Sequence, residues 1–162
     1  MLDKIQSLEK VGLFAGLKTD KEALAYLAQM MVQKTLPVHH ELIKEGDLGD
    51  EFYVLLRGQV SIYKNTPEGD RYKVVILKSD IAPSFAEAGL IQSEPRSATV
   101  VCDVESDFLV LNQKDFAKFC AQKPNWAVPI LQKLSLNLMG NLRKTSNDLM
   151  LLHRALMNEI RS

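Results

Sequence analysis

Two short runs carry the chemistry of this chain: Phe85-Ala86-Glu87-Ala88-Gly89-Leu90, then Pro95-Arg96-Ser97-Ala98. Glu87 and Arg96 are isolated charges in a stretch that is otherwise small or apolar, and Glu94 stands apart in a polar turn before Pro95. Ala86, Ala88 and Gly89 lack the bulk that would keep a backbone away from another surface. A short helix beginning near residues 85–87 would offer free N–H groups to an anion. Arg96 adds a planar fork of donors shaped for a phosphate, and Ser97 adds a hydroxyl and one more N–H. Glu87 is an acceptor suited to a sugar hydroxyl. Backbone and arginine for the phosphate, with a carboxylate for the ribose, make a sugar-phosphate site. The competing reading is a structural ion pair between Glu87 and Arg96, or two solvated charges.

Such a segment needs a frame, and three regions follow one another along the chain. Residues 1–35 read as helical. Thr19-Asp20-Lys21-Glu22 fits a capping box with Thr19 as the cap. Ala23, Leu24, Leu27, Ala28 and Met31 then recur at helical spacing. Residues 36–111 read as β-structure, because EFYVLL, QVSIYK, YKVVIL, ATVV and FLVL are short runs rich in strand formers with turn signals between several of them. Gly46, Gly49, Gly58 and Gly69 stand where positive φ is expected. Residues 112–162 read as helical again, with Asn112 as a cap, Pro124 as a break and Pro129 in the first turn of the last helix. In that helix Leu142, Leu149 and Leu156 are seven apart. Leu131, Leu138 and Leu152 form a second series whose missing member is Thr145, and the two series together make an a/d seam. The domain division is 1–125 for the β-region with its N-terminal helices and 126–162 for a dimerisation and signalling helix of the same domain. Trp126 is expected to anchor the hinge between them.

Composition bounds the function. The 162 residues amount to about one domain. The chain is 46% hydrophobic with a formal net charge of zero. An ordinary core is therefore available, and the excess of Lys and Arg needed for wholesale nucleic-acid or acidic-membrane binding is absent. No apolar run spans a bilayer, and MLDKIQSLEK lacks the core of a signal peptide, so the expected location is cytoplasmic. Cys102 and Cys120 have no metal-like spacing and are expected to be buried, inert thiols. His39 and His40, as strand neighbours, would face opposite ways and share no metal, so no metal site is expected. The methionines at 139, 150 and 157 suit packing. Neither a phosphate-loop nor a zinc-protease motif is present, nor a Ser-His-Asp arrangement, and the chain is not expected to be an enzyme.

Taken together, the two runs resemble the phosphate-binding cassette of the cyclic nucleotide-binding domain family. EGDLGDEFYVLLRGQVSIY at 45–63 is similar to that family's strand–turn–strand signature, and VGLFAGL at 11–17 to its usual opening. The resemblance runs from about residue 8 to 150. It implies an α+β fold: an antiparallel β-roll of jelly-roll type with N-terminal helices and a long C-terminal helix. It implies that Glu87 accepts from a ribose 2′-hydroxyl. Arg96 would pair with a cyclic phosphate, with Ser97 and the backbone from 86 to 88 assisting and Gly89 and Ala98 lining the site. The last helix is most similar to that of the catabolite activator type, in which a Thr-Ser pair reads adenine, one residue from each subunit of a dimer. Thr145 and Ser146 fall at that place. The expected ligand is cAMP, with cGMP also open, and no other cofactor. The expected partners are a second copy of the chain and an unnamed downstream protein, without direct DNA binding or membrane attachment.

Two departures support a second reading, a dimeric scaffold with a degenerate pocket. Alanine stands at 86 where the family has glycine, and the turn over 78–84 is long. A third reading is a fragment of a catabolite activator-type transcription regulator.

Overall fold

The computed structural model describes residues 2–161, with side chains from residue 4. In chain order the elements are α1 (Leu2–Lys10), α2 (Lys21–Met30), β1 (Val32–Leu36), β2 (Glu41–Ile43), β3 (Leu48–Gly49), β4 (Glu51–Arg57), β5 (Gln59–Asn65), β6 (Arg71–Lys78), β7 (Ser84–Phe85), β8 (Glu94–Pro95), β9 (Thr99–Cys102), β10 (Ser106–Asn112), α3 (Gln113–Gln122) and α4 (Pro124–Arg161). Short 3₁₀ turns cover Gly12–Leu17, Ser79–Ile81 and Glu87–Leu90.

Every strand pairing is antiparallel. Two four-stranded sheets, ordered β1-β10-β4-β7 and β2-β9-β5-β6, are joined by the small pair β3-β8. Alternation along β4 and β10 sorts their side chains onto two faces. Phe52, Val54, Leu109 and Leu111 pack outward against the helices, with Phe14, Leu24, Phe116 and Ile130. Tyr53, Leu55, Phe108 and Val110 point into the roll, with Val60, Phe85, Val100 and Cys102. The result is the expected antiparallel β-roll flanked by helices, and a strand buried on both faces explains why EFYVLL is almost continuously apolar.

Several local expectations are corrected. The N-cap of α2 is Asp20, not Thr19, and its carboxylate accepts the Ala23 N–H at 2.9 Å. The helix starts one residue later than the Thr19 frame requires. Glu22 then falls one place short of the reciprocal capping bond and supplies only negative charge to the first turn. The first helical region ends at Met30, because Val32–Leu36 pairs along its length with β10. The helical run does break before Pro124, with α3 ending at Gln122 and Pro124 opening α4, but Pro129 lies inside α4, past its first turn. The bond lost to the missing Pro129 N–H is offset by packing. Pro129 rests on Gly16, where an added Cβ would lie 2.7 Å from the proline Cβ. His39 and His40 are exposed turn residues rather than strand neighbours, and His39 has φ 65°.

The expectations for Asn112, Trp126 and the cysteines hold. Asn112 caps α3, accepting the Asp115 N–H at 2.8 Å, and Phe116 and Phe119 are buried. The Trp126 ring lies 5.9 Å from that of Tyr26 and 4.8 Å from the Lys123 ammonium, which ties the start of α4 to α2. Both cysteines are free; Cys102 is buried and Cys120 half-buried, and burial pushes both thiols up, away from reactivity. Among the described residues no helix is long and apolar enough to cross a membrane, and no cluster of three metal-ligating side chains forms.

Candidate functional site

Arg96 is held from three directions. Its backbone is clamped by the 44–50 loop: its N–H donates to the Asp47 carbonyl at 2.9 Å, and its carbonyl accepts the Gly46 N–H at 2.9 Å. Its guanidinium Nη2 donates to the Glu51 carbonyl at 2.7 Å. The rest of the side chain lies against two glycines. A Cβ at Gly49 would collide with the guanidinium, and one at Gly89 would lie 3.0 Å from Nη1. Gly49 therefore differs from Gly46, Gly58 and Gly69, which do have positive φ. It is glycine because an arginine lies across it.

Glu87 begins the 3₁₀ turn Glu87–Leu90, which is the short helix expected there. Ala86 precedes it at φ 65°, ψ 34°, so the alanine does adopt the left-handed turn that glycine would take, at a cost of about 1 kcal/mol. Glu87 is half-buried, and burial raises its carboxyl above the usual carboxylate range. Its own N–H and the Ser84 hydroxyl, 3.5 Å away, oppose that shift only in part. No ion pair joins Glu87 to Arg96 among the described residues: Arg96 binds a carbonyl, and no cation stabilises Glu87. The structural ion-pair reading is thereby set aside. A desolvated acceptor compensated only in part is suited to a strong donor such as a hydroxyl.

Of the remaining cassette residues, Gly89 lies against Arg96, and none of residues 86–89, 97 and 98, Glu87 included, lines the cavity that opens beside Arg96. Gly89 is buried, its N–H bonded to the Ala86 carbonyl at 3.1 Å. Ala98 is half-buried, while Ala88 and Ser97 are exposed. A cavity of about 230 Å³ opens beside Arg96, lined also by Ile43, Lys44, Asp47, Gly49, Asp50, Glu51 and Tyr53. A larger concavity, about 550 Å³, lies elsewhere along α4 between Val128, Leu131, Gln132, Ser135 and Leu136. It has no charged lining and is a flank of the apolar helix face, not a site for an anion.

Sequence reasoning missed Gly49, Glu51 and Tyr53 as parts of the site. The Glu51 carboxylate accepts the Tyr53 hydroxyl at 2.5 Å and the Lys34 ammonium at 3.0 Å. Burial would raise its carboxyl, but these donors and the nearby Arg96 charge hold it below the usual range. Burial and the Glu51 bond push the Tyr53 hydroxyl far up. The signal was the run EGDLGDEFY, read as turn and strand and as part of a family signature but not as a source of site residues.

The last helix is separate. Leu131, Leu138, Leu142, Leu149, Leu152 and Leu156 are all exposed within one chain, from 37% to 68%. After Leu134 the described residues of α4 are exposed, except Gly140 and Met157, which are half-buried. Thr145 and Ser146 lie 11 and 12 residues past Leu134, about 16 to 18 Å along the axis. They form no hydrogen bond with Glu87 or Arg96 among the described residues.

Comparison with known proteins follows the same division. The family profile described as "Cyclic nucleotide-binding domain" matches residues 33–123. The chain is 25% identical over 143 residues to a CRP-like cAMP-activated global transcriptional regulator of Mycobacterium tuberculosis, covering 88% of this chain and 60% of that protein. It is 29% identical over 115 residues to a cAMP-dependent protein kinase regulatory subunit of Dictyostelium discoideum, covering 70% and 34%. Among solved structures, the N-terminal domain of a transcriptional regulator from Streptomyces coelicolor A3(2) superposes with TM-score 0.75 at 29% identity, over 88% of this chain and 94% of that one. The chain thus spans 60% or less of the length of these two curated relatives.

Proposed function

Because the chain belongs to the cyclic nucleotide-binding domain family, we propose that it is a cyclic nucleotide sensor whose first ligand is cAMP, with cGMP as the competing ligand. The two curated relatives are named for cAMP, and both are regulators rather than enzymes. The observation that carries the reading is the placement of Arg96. Two glycines make room for its guanidinium, one carbonyl fixes one edge of it, and a cavity lies beside it. The cyclic phosphate would bind the remaining donors, with Ser97 and the backbone from 86 to 88 assisting. The ribose 2′-hydroxyl would donate to Glu87 and relieve its desolvation.

Output would run through α4. A ligand shifts a structure only through its differential affinity for two states, and the α4 segment beyond Leu134, with few contacts to the body, is the element free to take two placements. Pairing with a second copy would bury the leucine seam and bring Thr145 of one chain and Ser146 of the other to the adenine. The downstream partner would then read the position of the paired helices.

Calorimetric titration of refolded, ligand-free protein tests this. Micromolar or tighter binding of cAMP is expected. Arg96→Ala should abolish it, a loss of at least about 100-fold from removing a charged bidentate donor, with an unchanged circular dichroism spectrum. Undiminished affinity in that variant would sink the site. If neither nucleotide binds the wild type, the ligand-free dimeric scaffold becomes the reading, and the left-handed alanine at 86 would be its first explanation.

A further inference from the structure

Arg96 has a potential competitor for the phosphate within its own site. The backbone carbonyl of Glu51 already accepts from Arg96 Nη2, so the side chain of the same residue starts within reach of the same guanidinium. A carboxylate there would be the natural ion-pair partner of Arg96 and would take the fork that an anionic ligand needs. It does not do so. Both oxygens of Glu51 are engaged elsewhere, Oε2 by the Tyr53 hydroxyl at 2.5 Å and Oε1 by the Lys34 ammonium at 3.0 Å.

We propose that Tyr53 and Lys34 act as positioning residues that hold the Glu51 carboxylate away from Arg96 and so keep the guanidinium free for an anionic ligand. Tyr53 is the stronger restraint, because its own position is fixed. It is 4% exposed, stacked on Phe85 with ring centroids 5.5 Å apart and set edge-on to Phe108 at 6.4 Å. Lys34 is a long, partly exposed side chain on β1 and a softer hold. Phe85 leads directly into Ala86 and Glu87. One tyrosine therefore steadies the entry to the ribose acceptor through its ring and clears the phosphate donor through its hydroxyl.

The inference rests on the cyclic nucleotide reading for its ligand but not for its geometry, so two measurements are used. The first needs no nucleotide: a crystal structure of ligand-free Tyr53→Phe, with the Arg96 Nε–H resonance followed by ¹⁵N NMR. This substitution keeps the ring, its stack and the core volume, and removes only the donor. The expected result is a Glu51–Arg96 ion pair and a shifted Arg96 signal. A Glu51 carboxylate that stays on Lys34 would overturn the proposal whatever the protein binds. The second is cAMP titration of Tyr53→Phe and of Tyr53→Phe/Glu51→Gln. The single variant should bind about tenfold more weakly, the scale of one hydrogen bond to a charged group. The second substitution, by removing the competing charge, should recover most of that loss. A double variant as weak as the single one would show that Tyr53 merely supports the fold. If wild type binds no nucleotide, the sensor reading fails on the second measurement while the first still decides whether the restraint exists.

Discussion

The cassette at 85–98 and the α4 segment beyond Leu134 are both short on local shape, but they obtain it differently. Two side chains of the cassette, Arg96 and Phe85, are fixed by distant parts of the same chain, while Glu87 is held by near neighbours. Arg96 is fixed by the 44–50 loop and Glu51, and Phe85 by Tyr53 and Phe108. Distal α4 is a regular helix that leaves Leu138, Leu142, Leu149 and Leu152 exposed. The proposed site, with a desolvated acceptor and a partly engaged guanidinium, would need a rigid surround. An element proposed to move or pair would need the opposite, an apolar face its own chain leaves uncovered.

That contrast can be attacked from either side. The largest effect is expected on the helix. Replacing Leu142 and Leu149 together by Asn should convert a dimer to a monomer in multi-angle light scattering, because four leucines leave the interface at about 1.5–3 kcal/mol each. The fold of the body should be untouched, since neither leucine packs on it. An unchanged mass would mean that the seam is not the interface.

On the cassette side, Glu87 should be a stability liability at neutral pH. Its folded-state carboxyl is raised above the usual value, so between that usual value and its raised one the folded state holds more protons than the unfolded. Stability then falls as pH rises through this window. Glu87→Gln should therefore raise the urea midpoint at pH 7 and lose that advantage below about pH 4, while weakening nucleotide binding. Equal midpoints for the two proteins at pH 7 would remove the desolvation argument.

Smaller still is Ala86→Gly, which should add about 1 kcal/mol by relieving a left-handed alanine, less a few tenths for the more flexible unfolded chain. Its affinity for nucleotide should be equal or higher; a lower affinity would show that the methyl, packed on the roll interior, helps to shape the site. The subtlest test joins the two regions. Thr145→Ala should weaken cAMP more than cGMP, by the few-fold of one neutral hydrogen bond, in paired titrations. Equal losses would disconnect the helix from base reading.

Much of this was legible in the sequence. The five strand runs in the middle of the chain, the cap at Asn112 and the apolar spacing of α2 depend on local propensity and periodicity, and each appears where those rules place it. Glu87 and Arg96 stood out because charges are conspicuous among small residues. What was misjudged lay where a local rule had a tertiary competitor. Thr19 and Asp20 are both competent caps, and the position of the helix start chose between them. Val32–Leu36 could extend a helix, but the open edge of β10 claimed it.

By itself, then, the sequence determined the class of fold, made Glu87 and Arg96 conspicuous and set the leucine spacing along α4, because periodicity and residue type act over a few neighbours. Only the tertiary structure decided that Glu87 and Arg96 are not a pair, that Gly49 is glycine to admit a guanidinium, and that Tyr53 and Lys34 occupy Glu51. Those facts are distances between residues far apart along the chain, and spacing in sequence carries no record of which donors reach a buried carboxylate first.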